Sequence, residues 1–281
     1  MSINVRCRTS KSIHFEDLIQ QIVTGISGLV VKQIDADGCD VYIEGVSSRS
    51  VTIYSERNGY EARITWMANR DDYRLFRQAV VALVEMTHGT LYMEDSQQIA
   101  SLDFFSDEWM TNQMQADYHA LVSIVSHPDD KGAMPEICLL CPCRSFYVGH
   151  NLLEDLGIDG TTPYEVGYSA LTDRIRYAQY SRPAGILQTA TNMQIELPPK
   201  SGSKHSLTLY TQNDYDMLSR ADFVLLKSHE GKYVIVPYDA FMSIAPSQWE
   251  RFDNCQYFTS PLDDNEYDKM LERATTVGTV L

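Results

Sequence analysis

The sequence predicts an α+β protein of mostly antiparallel sheets with packed helices, arranged as two subdomains. Three observations carry that expectation. Two consecutive hairpin signals imply four antiparallel strands near the N-terminus, long helical periodicities then interrupt them, and the elements lack the regular strand–helix alternation that builds a parallel sheet. A chain of 281 residues with 44% hydrophobic residues also holds enough apolar material for one large core or two ordinary ones.

The first half divides into recognisable elements. Phe15, Leu18, Ile19, Ile22, Val23 and Ile26 recur at helical spacing, so a helix is expected over 14–26, stopped near Gly25 and Gly28. "LVVKQI" and "DVYIEG" flank Asp37-Gly38 as one hairpin, and "SVTIYSE" and "YEARITWMA" flank Asn58-Gly59 as another. The "DADGCD" run lacks the alternating ligands and distal glutamate of a calcium loop, which favours the turn. Asn69 or Asp71 caps a second helix with Leu75, Phe76, Ala79, Val80, Leu83 and Val84 on one face, ending at Gly89. A third helix starts near Ser106, with Asp107 and Glu108 in its first turn, and repeats Met110, Met114, Tyr118, Leu121, Val122 and Val125. The turn-rich "SHPDDKGAMPE" over 126–136 is the expected linker, giving α+β domains over 1–128 and 129–281.

In the second half "EICLLCPCRSFYVG" is expected as a strand and "NLLEDLG" as a short helix. Thr162, Pro163 and Glu165 read as a capping box opening a helix whose Tyr164, Tyr168, Leu171, Ile175 and Ala178 share a face. "NMQIELP" and "HSLTLYTQ" flank the polar "PKSGSK", "DFVLLKS" and "KYVIVPY" flank a hairpin turn, and Pro261 with Asp263 and Asp264 opens a last helix containing Met270 and Leu271.

The cysteine stretch offers the most chemistry. Cys138, Cys141 and Cys143 supply one C-x2-C pair and a third thiol, but structural zinc sites use two separated pairs. In a regular strand Leu139, Cys141 and Cys143 share one face and Cys138 and Leu140 the other, so the sulfurs diverge. A buried strand bent by Pro142 is the expected reading. Cys141 with His150 is the remaining nucleophile–base candidate, since such partners need only meet in space. Walker A, G-x-G-x-x-G, H-E-x-x-H and G-x-S-x-G motifs are absent, and no cofactor is expected.

Charge and termini narrow the partners. The 38 acidic against 23 basic residues give a formal net charge of -15, which opposes nucleic-acid phosphates and anionic membranes and favours a basic protein partner. The N-terminus has no apolar signal region, and no apolar run reaches the roughly 18 residues of a membrane span. With six scattered cysteines, this points to reduced thiols in a cytoplasm. Seventeen tyrosines are a second compositional feature; Tyr177 and Tyr180 lie off the apolar stripe of their helix and are candidate interface residues. Asp263, Asp264 and Glu266 supply negative charge at the last helix start and are candidate contacts to a basic partner.

The segments "CRSFYVGHNLLEDLGI", "VIVPYDAFMSI" and "WERFDNCQYFTSPL" resemble an uncharacterised family of bacterial cytosolic proteins of similar length. In that family an RSFY-like strand precedes a short leucine-rich helix, and a VPYDAF-like segment lies near the C-terminus. The resemblance covers residues 60–281 and implies an α+β bacterial protein. It carries over no catalytic residue, and the "LLCPC" cysteines lie outside its pattern. The expected function is therefore an acidic protein-binding protein, with an immunity-type neutraliser of a basic bacterial toxin as one form. The alternatives are an enzyme with a Cys/His or acidic site in a cleft, and a structural subunit of an assembly marked by an exposed apolar patch.

Overall fold

The computed structural model describes residues 2–24, 26–93, 97–99, 101–181, 187–188, 193–196, 202–212 and 216–280. It is an α+β protein with mostly antiparallel sheets, as expected. The chain divides into two compact units, Met1–Arg182 and Pro183–Leu281.

Unit 1 starts with β1 (Ser2–Arg8) and α1 (Phe15–Val23), followed by β2 (Leu29–Gln33), β3 (Gly38–Ile43), β4 (Val51–Glu56) and β5 (Gly59–Thr65). These four consecutive strands pair antiparallel, as both hairpin signals require. The second turn holds Arg57 and Asn58 between the paired Glu56 and Gly59, one residue earlier than the Asn58-Gly59 expectation. After α2 (Arg70–Thr87) come β6 (Thr90–Met93) and β7 (Gln97–Ile99), and the sheet closes in the order β2-β3-β4-β5-β1-β6-β7. The N-terminal strand thus sits inside the sheet, between β5 and β6.

Period-two alternation divides that sheet into two faces. Val5, Cys39, Val41, Ile53, Ala62 and Ile64 are buried, and the strands carrying them pack on α2, whose Leu75, Phe76, Ala79, Val80 and Leu83 are buried in turn. The intervening residues form rows across the other face: Asp40 opposite Thr52, Thr52 opposite Arg63, and Arg63 opposite Asn4. Between β5 and α2 the chain reverses through Met67 at φ 60°, a left-handed conformation that is uncommon for a residue with a side chain.

The rest of unit 1 comprises α3 (Asp107–Ser126), β8 (Ile137–Leu139), β9 (Phe146–Val148), α4 (His150–Asp155) and α5 (Tyr164–Tyr180). Ser106 caps α3 through its side chain, and the expected apolar stripe of α3 is buried. The compact unit continues past the expected boundary at 128 because α5 packs on α3 and bonds back into the first half. The Tyr168 hydroxyl donates to the Ala68 carbonyl at 2.5 Å, and the Tyr180 hydroxyl to the Ser47 carbonyl at 2.9 Å. The 126–136 segment is therefore a loop within unit 1, not a linker. The capping box expected for α5 does not form: Pro163 is the N-cap, and the Thr162 hydroxyl bonds Asp159 Oδ1 at 3.1 Å instead.

Unit 2 carries β10 (Leu187–Gln188), β11 (Met193–Glu196), β12 (Lys204–Leu209), β13 (Asp216–Ser219), β14 (Phe223–Lys227) and β15 (Tyr233–Pro237). Then follow α6 (Tyr238–Ile244), β16 (Glu250–Arg251), β17 (Gln256–Phe258), α7 (Asp264–Val277) and β18 (Thr279–Val280). Strands order as β11-β12-β14-β15-β18 and β10-β13-β17-β16, with the expected β11/β12 and β14/β15 antiparallel pairs present. Half of the "PKSGSK" loop, residues 199–201, lies outside the described residues. The core joins Val224, Leu226, Val234 and Val236 to Phe241, Trp249 and Tyr267, with the Tyr210 and Trp249 rings 4.8 Å apart. VPYDAF is where β15 turns into α6, a helix that periodicity alone did not indicate because it spans only two turns.

Candidate functional site

The cysteine stretch is a two-stranded hairpin, β8 and β9, and not one continuous strand. Leu139 pairs with Phe146, so Cys141 and Cys143 fall in the connecting turn, where Pro142 cannot donate to a ladder. The three thiols have different surroundings. Cys138 and Cys143 are exposed, Cys143 beside the Tyr42 hydroxyl, while Cys141 Sγ accepts from Arg49 Nη1 at 3.2 Å. Burial pushes the Cys141 thiol up, against the pull of Arg49. His150 opens α4, partly exposed, with Nε2 3.2 Å from Glu154 Oε1 on its own helix. Cys141 and His150 thus go to different partners. Among the described residues no group of three His, Cys, Asp or Glu side chains could hold a metal ion.

The feature that sequence reading missed is the partner of Cys141. Arg49 lies in the β3–β4 loop and is only 4% exposed. Its Nε and Nη2 donate to the Thr65 hydroxyl at 2.9 and 2.6 Å. The loop is fixed from below by Asp72, in the first turn of α2. Asp72 Oδ2 accepts from the backbone N–H groups of Ser48 at 3.1 Å, Arg49 at 3.0 Å and Asn69 at 2.9 Å, with the Ser48 hydroxyl at 2.8 Å. Asn69 completes a capping box with Asp72 and ties its own amide to the Val46 carbonyl at 2.7 Å. Burial pushes Asp72 up to about 6 against these donors.

Arg49 lines a cavity of about 560 Å3 over the outward face of β3, β4 and β5. Thr52, Thr65, Arg63 and Asp40 supply its polar part, and Ile34, Ile137, Leu139 and Leu140 its apolar part. Thr52 donates to Asp40 at 2.6 Å. Trp66 also lines the cavity, and its buried indole N–H has no hydrogen-bond acceptor among the described residues. Alternation in the sequence puts Thr52 and Arg63 on the same face of their strands, but the row Asp40–Thr52–Arg63 follows from the observed registers, which the turn signals did not specify. Arg49 gave no such signal, because a loop has no period.

A smaller cavity of about 150 Å3 beside it is lined by Tyr73, Trp66 and Asp117. Asp117 is 6% exposed and accepts from the Tyr73 hydroxyl at 3.2 Å. Burial pushes it up to about 6, against that hydrogen bond. A carboxyl with a raised folded pKa contributes stability that is complete below its unfolded value of 3.8 and is lost as pH rises through about 6. Asp117→Asn, which imitates the protonated acid, is therefore expected to leave stability unchanged near pH 4 and to raise it above about pH 7 by about 2–3 kcal/mol. Urea unfolding at the two pH values checks this; an equal loss at both would contradict it.

The expected binding residues fall in separate places. Tyr177 is 39% exposed on α5, with the Arg174 guanidinium 5.7 Å from its ring centroid. Tyr180 is half-buried, its hydroxyl engaged by Ser47. In unit 2, Asp263 and Glu266 form the capping box of α7, and Asp264 accepts from Gln212 at 2.8 Å. All three carboxylates remain exposed.

No family model, curated protein or solved structure matches the chain. Among the described residues no helix is long and apolar enough to cross a membrane.

Proposed function

We propose that the chain is an acidic, cytoplasmic protein-binding protein that occupies a basic partner without performing chemistry on it. An immunity-type neutraliser of a basic bacterial toxin is one form of that role. The observation that carries the reading is charge: 38 acidic against 23 basic residues, a formal net of -15. Such a surface speeds encounter with a cationic protein and disfavours phosphate backbones.

The local chemistry supports the same reading. A thiol whose pKa is raised is a poor nucleophile at neutral pH, and Cys141 is held by a buried guanidinium with His150 engaged elsewhere. The exposed carboxylates at the start of α7 and the exposed Tyr177 ring are the groups offered to a partner. The test is capture by the immobilised full chain from native cell extract at about 50 mM and about 500 mM salt. One stoichiometric basic partner, captured at low salt and weakly at high salt, is the expected result. No partner at either salt, or an acidic partner indifferent to salt, overturns the reading.

A further inference from the structure

We propose that the cavity over β3, β4 and β5 is a binding site for a small carboxylate with an apolar body, its carboxylate held by Arg49. This site does not rest on the protein-binding reading. Arg49 is a buried cation with no carboxylate in contact: it is 4% exposed, and among the described residues none forms an ion pair with it, the buried Asp117 acting on it only through space. Its bonded acceptors are neutral: one hydroxyl, which receives both Nε and Nη2, and one thiol, a weak acceptor. A guanidinium has five N–H groups, so two remain for a ligand. Burying a cation in this way is costly, and a planar carboxylate matches the guanidinium fork.

A second polar side chain stands at the wall of the same cavity. The Trp66 indole N–H is buried and lacks an acceptor among the described residues, and the Trp66 side chain lies between this cavity and the smaller one, lining both. Arg63, on the same wall, forms no ion pair among the described residues. Asp40, the acid lining the cavity among the described residues, is bonded by Thr52. Opposite this polar floor stand Ile137, Leu139 and Leu140 of the β8 hairpin region, with Leu140 72% exposed at the rim. A bare phosphate would leave that wall unused, whereas an alkyl or aryl carboxylate covers it. The volume of about 560 Å3 suits a small organic molecule.

Cys138 is exposed and lines the cavity, so it reports occupancy in the unaltered protein. Alkylation of Cys138 by iodoacetamide, read by peptide mass spectrometry, is compared with that of exposed Cys143. Octanoate and phenylacetate are the probes, with their neutral amides and inorganic phosphate as comparisons. At about 10 mM probe, Cys138 labelling is expected to slow by about threefold or more while Cys143 is unchanged. Neither amide nor phosphate is expected to protect. Leu140→Glu, a rim change that leaves Arg49 and its bonds in place, should abolish the protection, and so should Arg49→Lys if it folds. Absence of protection by both carboxylates overturns the site. Equal protection by the amides overturns the role of Arg49, and equal protection by phosphate overturns the apolar part.

Discussion

Alanine at Gly59 is expected to destabilise the fold by about 3–5 kcal/mol, combining backbone strain with a forced shift of the neighbouring strand. Gly59 has φ +143°, a conformation L side chains rarely adopt. An added Cβ would lie 2.0 Å from the Cys7 carbonyl oxygen and 3.2 Å from Arg8 Cα, both backbone atoms of β1. Because β1 is held on its other edge by β6, it cannot retreat without breaking a second ladder. Gly45 is the internal comparison: its φ is +75°, but a Cβ added there would meet nothing within 4 Å. Gly45→Ala should therefore cost only about 1 kcal/mol. Urea unfolding of both variants checks the pair, and equal losses would contradict the close β1–β5 approach.

Removal of the Asp72 carboxylate is expected to be comparably severe. Asp72→Ala should cost about 3–5 kcal/mol, since it strips the shared acceptor from several buried donors and deletes one half of a capping box. Three backbone N–H groups, from Ser48, Arg49 and Asn69, lose that acceptor at once. The consequence extends to the cavity, because the same bonds fix the loop that carries Arg49. Denaturant unfolding gives the stability loss, and the Cys138 protection assay on the folded fraction gives the effect on the site. A loss below about 1 kcal/mol would place Asp72 among ordinary surface caps and contradict the tether.

Those two positions also show what was legible in the sequence. The β4–β5 hairpin could be read from Asn58-Gly59, and the α2 start from Asn69, because turns and caps are local chemistry. What Gly59 approaches could not be read, since its neighbour is the distant N-terminal strand β1, where Arg8 pairs with Gly59. Strand β1 itself was hidden in plain alternation: Val5 and Cys7 are buried, while Asn4, Arg6 and Arg8 between them made the segment look like a polar terminus.

The expected boundary at 128 had the same origin. Loops and linkers share the composition of "SHPDDKGAMPE", and only the bonds from Tyr168 to Ala68 and from Tyr180 to Ser47 distinguish them. For the cysteines, the expected continuous strand gives way to a hairpin. The chain turns at Pro142, and Cys141 meets an arginine 92 residues away. Such a contact carries no sequence period, so the cavity it borders emerges only from the folded chain.

The central claim, recognition of a basic protein through an acidic surface, is tested most directly by the association rate of the captured partner as a function of ionic strength. Between about 20 mM and about 500 mM salt the rate constant is predicted to fall by about tenfold or more, with the dissociation rate changing far less. An association rate that stays flat across that range would contradict electrostatic recognition.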